Sequence, residues 1–226
     1  MDDWLSYRPS DFLMFSPRVY WRLFETLNEA WWPVQPLLVA AGAVCLWAFR
    51  RPVHGHGEAA LRGTAAFLAG CWMLVAWAFL LERFAPVNWP ARAYAALFAL
   101  QAAALLVPAI AGGLRPAADP LRRGAALVLG LWALAGHPLL AVAEGRPWTQ
   151  AEVFGLAPDP TAIGTLAFLL AVRADSRAAP ACLRALWILP LAWSASSAVT
   201  LATMGSPQAW AILAAAVVAA ATAWRR

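Results

Sequence analysis

Residues 144–177 read EGRPWTQAEVFGLAPDPTAIGTLAFLLAVRADSR, and whether this stretch crosses a membrane decides the fold. Its apolar part, 160–172, is thirteen residues long. At 1.5 Å per residue that is about 20 Å of helix, against a hydrocarbon core of roughly 30 Å. The polar part before it, through Asp159, carries proline, glycine, tryptophan and acids in a chain that is otherwise 62% apolar and only 13% charged.

Working outward, six more apolar runs flank this one, at 32–49, 63–81, 91–111, 121–142, 185–203 and 208–224. Most approach the length that spans a bilayer, so the chain reads as an all-α, polytopic membrane helix bundle. The opening MDDWLSYRPSDF is acidic and aromatic and lacks the basic region, apolar core and cleavage site of a secretory signal. We divide the chain into an outer interfacial segment, 1–30, and a membrane domain of seven helices, 31–226.

Arginine decides between six spans and seven. All seventeen basic residues are arginine. With seven crossings, Arg50, Arg51, Arg62, Arg115, Arg122, Arg123, Arg173, Arg177, Arg184, Arg225 and Arg226 share one side with three acids, while the other side has six arginines and nine acids. The positive-inside rule then puts the N-terminus outside and the C-terminus in the cytoplasm. Without the fifth crossing, Arg173, Arg177 and Arg184 would fall outside and the pattern would break. The net charge of +5 thus reports orientation and not nucleic-acid binding.

Helix starts are marked at Ser16-Pro17, Asp119-Pro120, Asp159-Pro160 and Ser206-Pro207, each a capping side chain before a proline whose missing N–H does no harm in the first turn. Trp21, Trp31, Trp32, Trp89 and Trp148 are expected in the outer aromatic belt. LRGTAAFLAGCWML from Leu61 aligns without gaps to LRRGAALVLGLWAL from Leu121, matching Trp72 with Trp132, and Leu183-Arg184 with Trp193 repeats the idea. A tandem helical-hairpin repeat would produce this, although alanine, leucine and glycine matches come easily here.

Two readings of the opening stretch stand side by side. Thr149-Gln150-Ala151-Glu152 fits a T-x-x-E capping box, Gly155 a helix stop and Asp159 a cap, which makes a surface helix followed by a new span. Alternatively the N-terminus of the fifth helix lies below the membrane surface and VFGLAPDP lines a cavity, since non-helical backbone at depth needs protein or water to satisfy it. His137, an ionisable residue inside the fourth span before Pro138, is a functional candidate by its location. It precedes Glu144 by seven residues, two helical turns. The candidate polar site is therefore His137, Glu144, Arg146, Trp148, Glu152 and Asp159, joined by Glu82 and Arg83 from the neighbouring outer loop.

Other features take simpler readings. Trp193, Ser196, Ser197, Thr200 and Thr203 share a helical face, read first as close packing between helices. Gln35 and Gln101 are expected to bond between helices. His54 and His56, with only Glu58 nearby, fall short of a metal coordination sphere, and no metal or cofactor is expected. Cys45, Cys71 and Cys182 have no CxxC spacing and read as free thiols. The chain has no lysine, which excludes a retinal Schiff base, and no Walker loop, GxSxG or HExxH occurs. Nothing in the sequence supports catalysis.

The stretches YRPSDFLMFSPRVYWRLFETLNEAWWP, LERFAPVNWPARAYAALFALQ and HPLLAVAEGRPWTQAEVFGLAPDPTAIGTLAFLL resemble an uncharacterised family of bacterial multi-pass membrane proteins, a domain of unknown function. The resemblance implies a bacterial inner-membrane location and transfers no site. The function expected is a small permease-like or solute-binding protein with an outward-facing polar site for a small solute or ion. The alternative is a non-catalytic accessory subunit that docks a membrane-protein partner or another copy of itself. The lipid bilayer is a partner in both, and nucleic acid in neither.

Overall fold

The computed structural model describes residues 13–49, 57–174 and 179–225; His54 and His56 lie outside the described residues. The described residues form ten α-helices, two π-helical stretches, one 3₁₀ turn and one two-stranded sheet. The first element among the described residues is α1 (Pro17–Ala30), capped as expected by Ser16, whose Oγ accepts from the Val19 N–H at 3.3 Å. Tyr20, Trp21, Phe24 and Leu27 recur at helical spacing and are buried, leaving Arg18, Arg22 and Glu29 on the open face. Phe24 stacks on Phe79 with ring centroids 4.7 Å apart, so α1 lies against the bundle. The chain then turns by 90° into α2 (Val34–Ala48). Gln35 reaches back over the bend to donate to the Asn28 carbonyl at 2.6 Å.

Helix α3 (Gly57–Leu74) continues without a break as a π-helical stretch, Val75–Phe84, and pairs with α4 (Ala91–Ala111). At the end of α4, Arg62 donates to the carbonyls of Ala109 and Ile110 at 2.7 and 3.0 Å, groups that a helix C-terminus leaves unpaired. The Gly113 N–H donates to Glu58 at 2.6 Å, and Gly112 has φ +74°, which lets α4 turn sharply into β1 (Leu114–Pro116). Asp119 caps α5 (Pro120–Leu131), accepting from Leu121 at 2.9 Å. A π turn, Trp132–Gly136, joins α5 to α6 (His137–Ala143). The proline expected to kink this span, Pro138, follows that turn directly. The wider turn absorbs the hydrogen bond that a proline inside a helix removes.

A 3₁₀ turn, Trp148–Gln150, leads to α7 (Pro158–Ala171), then β2 (Val172–Ala174), α8 (Ala179–Ala185), α9 (Ile188–Thr203) and α10 (Gln208–Ala223). Helix α7 is the centre of the bundle. Thirteen of its fourteen residues are buried, and it packs against α3, α5, α9 and α10. Strands β1 and β2 pair antiparallel with Arg115 opposite Arg173, and Arg122 donates to the Leu169 carbonyl at 3.2 Å. The end of α4, the end of α7 and the starts of α3 and α5 therefore meet at one end of the bundle.

Among the described residues, four helices are long and apolar enough to cross a membrane: Gly57–Phe84, Ala91–Ala111, Pro120–Ala143 and Ala181–Thr203. Counting the bent pair of α1 and α2 as one span makes five. Helices α2, α7 and α10, with 15, 14 and 16 residues, make up the rest of the seven expected segments and are shorter.

The segment before α7 is the largest departure from a simple bundle. From Ala151 to Ile163 every residue is buried, although the first seven are not helical. Their polar backbone is satisfied locally. The Val153 carbonyl accepts from Leu156 and Ala157, and the Gly155 N–H donates to Thr161 Oγ1 at 3.0 Å, whose hydroxyl in turn donates to the Ala157 carbonyl at 2.7 Å. Gly155 has φ +83°, and a Cβ there would stand 3.2 Å from both Cys71 Sγ and Leu38.

Candidate functional site

Two indole donors hold the polar residues of α7. Trp72 on α3 donates to Thr165 Oγ1 at 2.8 Å, and Trp193 on α9 donates to Asp159 Oδ1 at 2.7 Å. These are two of the three tryptophans matched in the internal repeat. Trp132, the third, packs over Gly136 instead, where a Cβ would come within 2.4 Å of its ring, and its buried Nε1 has no hydrogen-bond partner. The repeat thus has like roles in α3 and α9 only.

Asp159 is fully buried, and its second oxygen accepts from Ser197 Oγ at 2.7 Å. It does not cap α7. The cap position is Ala157, and Asp159 sits inside the first turn with its carboxylate turned to α9. Glu152 likewise forms no capping box: Thr149 and Gln150 belong to the 3₁₀ turn, and Ala151 after them is extended. Glu152 enters the interior and meets His137, with Nε2 and Oε2 2.8 Å apart and both side chains at most 1% exposed. One proton lies between these atoms, on the imidazole or on the carboxyl. His137 Nδ1 and Glu152 Oε1, also buried, have no partner.

His137, Glu152 and Asp159 each offer a ligating atom within 4.8 Å of the others. The hydrogen-bond partners of this cluster are all uncharged apart from its own members: an indole and a hydroxyl. Two carboxyls and an imidazole in a buried setting keep protons or attract a cation, because unpaired buried charge costs several kcal/mol.

The other expected site residues separate from this cluster. Glu144 accepts from Ser206 at 3.1 Å and pairs with Arg146 at 3.2 Å. Arg146 also donates to the Gln150 carbonyl at 3.1 Å, and its guanidinium lies 3.6 Å over the Trp21 ring. Trp21 is therefore buried beneath an arginine and not in an exposed belt, whereas Trp32, Trp89 and Trp148 are exposed. Glu82 and Arg83 pair with each other at 3.4 Å on the π stretch that ends α3.

Two cavities are lined by neighbours of the cluster residues, while His137, Glu152 and Asp159 themselves line neither. One, of about 210 Å³, is lined by Tyr20, Asn88, Tyr94, Trp193, Ser196, Ser197 and Thr200 among others. The hydroxyl-bearing face of α9 thus lines a cavity, in addition to the packing first read for it. The other, of about 620 Å³, is mostly apolar and lies between the α1–α2 bend and α6, with Asn28, Gln35, Trp148, Pro138 and Val153 in its wall. Pro138 and Val153 adjoin His137 and Glu152 in the chain, while Trp193 and Ser197 hold Asp159. Gln101 donates to the Leu186 carbonyl at 3.0 Å, as expected of an interhelical group. The three cysteines are free.

Sequence reasoning named all three cluster residues but joined His137 to Glu144, on its own helix. Sequence reasoning read Glu152 as the end of a capping box; the available signal is that Glu152 and Asp159 bracket VFGLAP, a run too apolar for a surface loop.

Residues 17–226 match the model of a family of unknown function (DUF6064), and the chain belongs to that family. No curated protein and no solved structure matches it.

Proposed function

We propose that the chain is a permease-like or solute-binding protein of a bacterial inner membrane, with seven spans and its N-terminus outside. Its site is the buried cluster of His137, Glu152 and Asp159, reached from outside through the cavity beside Trp193 and Ser197. The observation that carries this reading is the non-helical, buried segment 151–157, which delivers Glu152 and then the start of α7 to the interior. Unwound backbone beside a sunken helix start is a recurring design of transporter sites. A bare scaffold has no use for three ionisable groups there.

The orientation follows from the arginines. Arg62, Arg115, Arg122 and Arg173 gather at the end where α4 and α7 stop, and the positive-inside rule makes that end cytoplasmic. Helix α7 then spans with about 21 Å of helix, and the buried segment before it fills the outer part of the layer. The cavity lined by Tyr94, Trp193, Ser196, Ser197 and Thr200 supports this reading over the accessory subunit, for which a solid core suffices.

Accessibility tests it. With Cys45, Cys71 and Cys182 replaced, Thr200→Cys on the cavity wall should react with a membrane-impermeant thiol reagent in intact cells. An unreactive Thr200→Cys beside a reactive surface control would mean a sealed core and remove the solute-binding reading.

A further inference from the structure

We propose that His137, Glu152 and Asp159 bind one divalent first-row transition-metal cation, such as Zn²⁺ or Mn²⁺. This inference specifies the ion for the site on which the solute-binding reading rests, and it is tested separately from that reading.

The three groups come from α6, from the buried non-helical segment and from the first turn of α7, and their ligating atoms lie within 4.8 Å of one another. A cation about 2.0–2.2 Å from nitrogen and oxygen ligands holds them roughly 3–4 Å apart. The 2.8 Å between His137 Nε2 and Glu152 Oε2 is shorter than that, so a cation would part this hydrogen-bonded pair, and the three ligating atoms lie close enough for side-chain rotation to bring them onto one ion.

Two further observations point to a ligand. Glu152 Oε1 is a buried acceptor without a partner, in a side chain 1% exposed; buried polar groups are ordinarily satisfied. Asp159 accepts a hydrogen bond on each oxygen, from Trp193 and Ser197, both at 2.7 Å. Outer donors that fix a carboxylate in this way are what a metal ligand requires.

Charge and donor type select the ion. A neutral imidazole with two carboxylates carries −2, which a divalent cation cancels, removing the penalty for burying the acids. One nitrogen and carboxylate oxygens suit Zn²⁺, Mn²⁺ or Fe²⁺, whereas Mg²⁺ and Ca²⁺ prefer all-oxygen shells. On binding, the proton between His137 Nε2 and Glu152 Oε2 and any proton on Asp159 leave to solvent; the Nε2 lone pair is donated to the cation while Nδ1 keeps the ring N–H, so the imidazole stays neutral.

The full chain, purified in detergent, stripped with chelator and freed of any affinity tag, is titrated with Mn²⁺ and with Zn²⁺. Bound metal is counted by elemental analysis, and the Mn²⁺ form is examined for hyperfine coupling to a histidine nitrogen. One ion per chain, nitrogen coupling that disappears in His137→Asn, and loss of stoichiometric binding in Glu152→Gln and Asp159→Asn are expected. Ser197→Ala should weaken binding about 10-fold. The nitrogen signal is read on the unaltered protein, so a misfolded variant does not void the test. Absence of stoichiometric metal, or metal without histidine coupling, overturns the proposal, whatever Thr200→Cys reports. Metal bound in a chain whose Thr200→Cys stays unreactive upholds the ion site and removes the solute-binding reading alone.

Discussion

His137 and Glu152 meet at 2.8 Å across fifteen residues of chain that leave α6, cross the surface and return to the interior. Their contact ties the loop to the bundle, so its loss should be felt in stability. His137→Leu alone leaves a buried carboxyl group without its partner and is expected to cost about 3–5 kcal/mol, as is Glu152→Leu. The double variant, which removes both polar groups, should cost clearly less than the sum. Thermal unfolding of the four proteins in detergent completes the cycle. Strict additivity would mean the pair does not interact.

This pairing also marks where the sequence stopped being informative. The caps at Ser16 and Asp119 were legible because capping is local: a side chain, a proline and the next turn are enough. The apolar runs marked the helices for similar reasons. Thr149 to Glu152 has the right spacing for a capping box, yet the backbone extends at Ala151 and Glu152 turns inward. What decides its fate is His137, on another helix, and no local rule refers to that. Helix α7 was recognised as short from its thirteen apolar residues. That thirteen of its residues would be buried on all sides follows only from the packing of α3, α5, α9 and α10 around it.

Glu144 provides the contrast. It was paired with His137 by helical spacing, but it lies with Arg146 and Ser206. Glutamine keeps one acceptor oxygen for Arg146 and turns its NH2 to the Ser206 hydroxyl, which can accept, so Glu144→Gln should lower stability by about 1 kcal/mol. The Mn²⁺ stoichiometry should not change. Loss of metal in this variant would place Glu144 in the site after all.

Gly164 lies on α7 where Phe154 packs, and a Cβ there would be 2.4 Å from the Phe154 ring. Gly164→Ala therefore forces the ring, and with it the segment carrying Glu152, to move. Overpacking of this kind costs about 1–3 kcal/mol. Because the conflict is with one side chain, Phe154→Leu in the same chain should recover part of the loss, whereas Phe154→Leu alone should destabilise. If Gly164→Ala melts like the parent, the ring is not seated against α7.

Orientation is open to a direct test, since Arg123 and Pro147 are both exposed and lie at the two ends of the α5–α6 span. In the background without native cysteines, Pro147→Cys should react with an impermeant thiol reagent in intact cells, and Arg123→Cys only after the membrane is opened. The reasoning is electrostatic: Arg122 and Arg123 start α5 beside Arg62 and the strand pair that sets Arg115 opposite Arg173, and arginines near span ends are retained in the cytoplasm. The reverse labelling would turn the whole bundle over and close the His137 cluster to outside solutes. Labelling of both from one side would mean that α5 and α6 do not cross at all, a result their 24 continuous residues argue against.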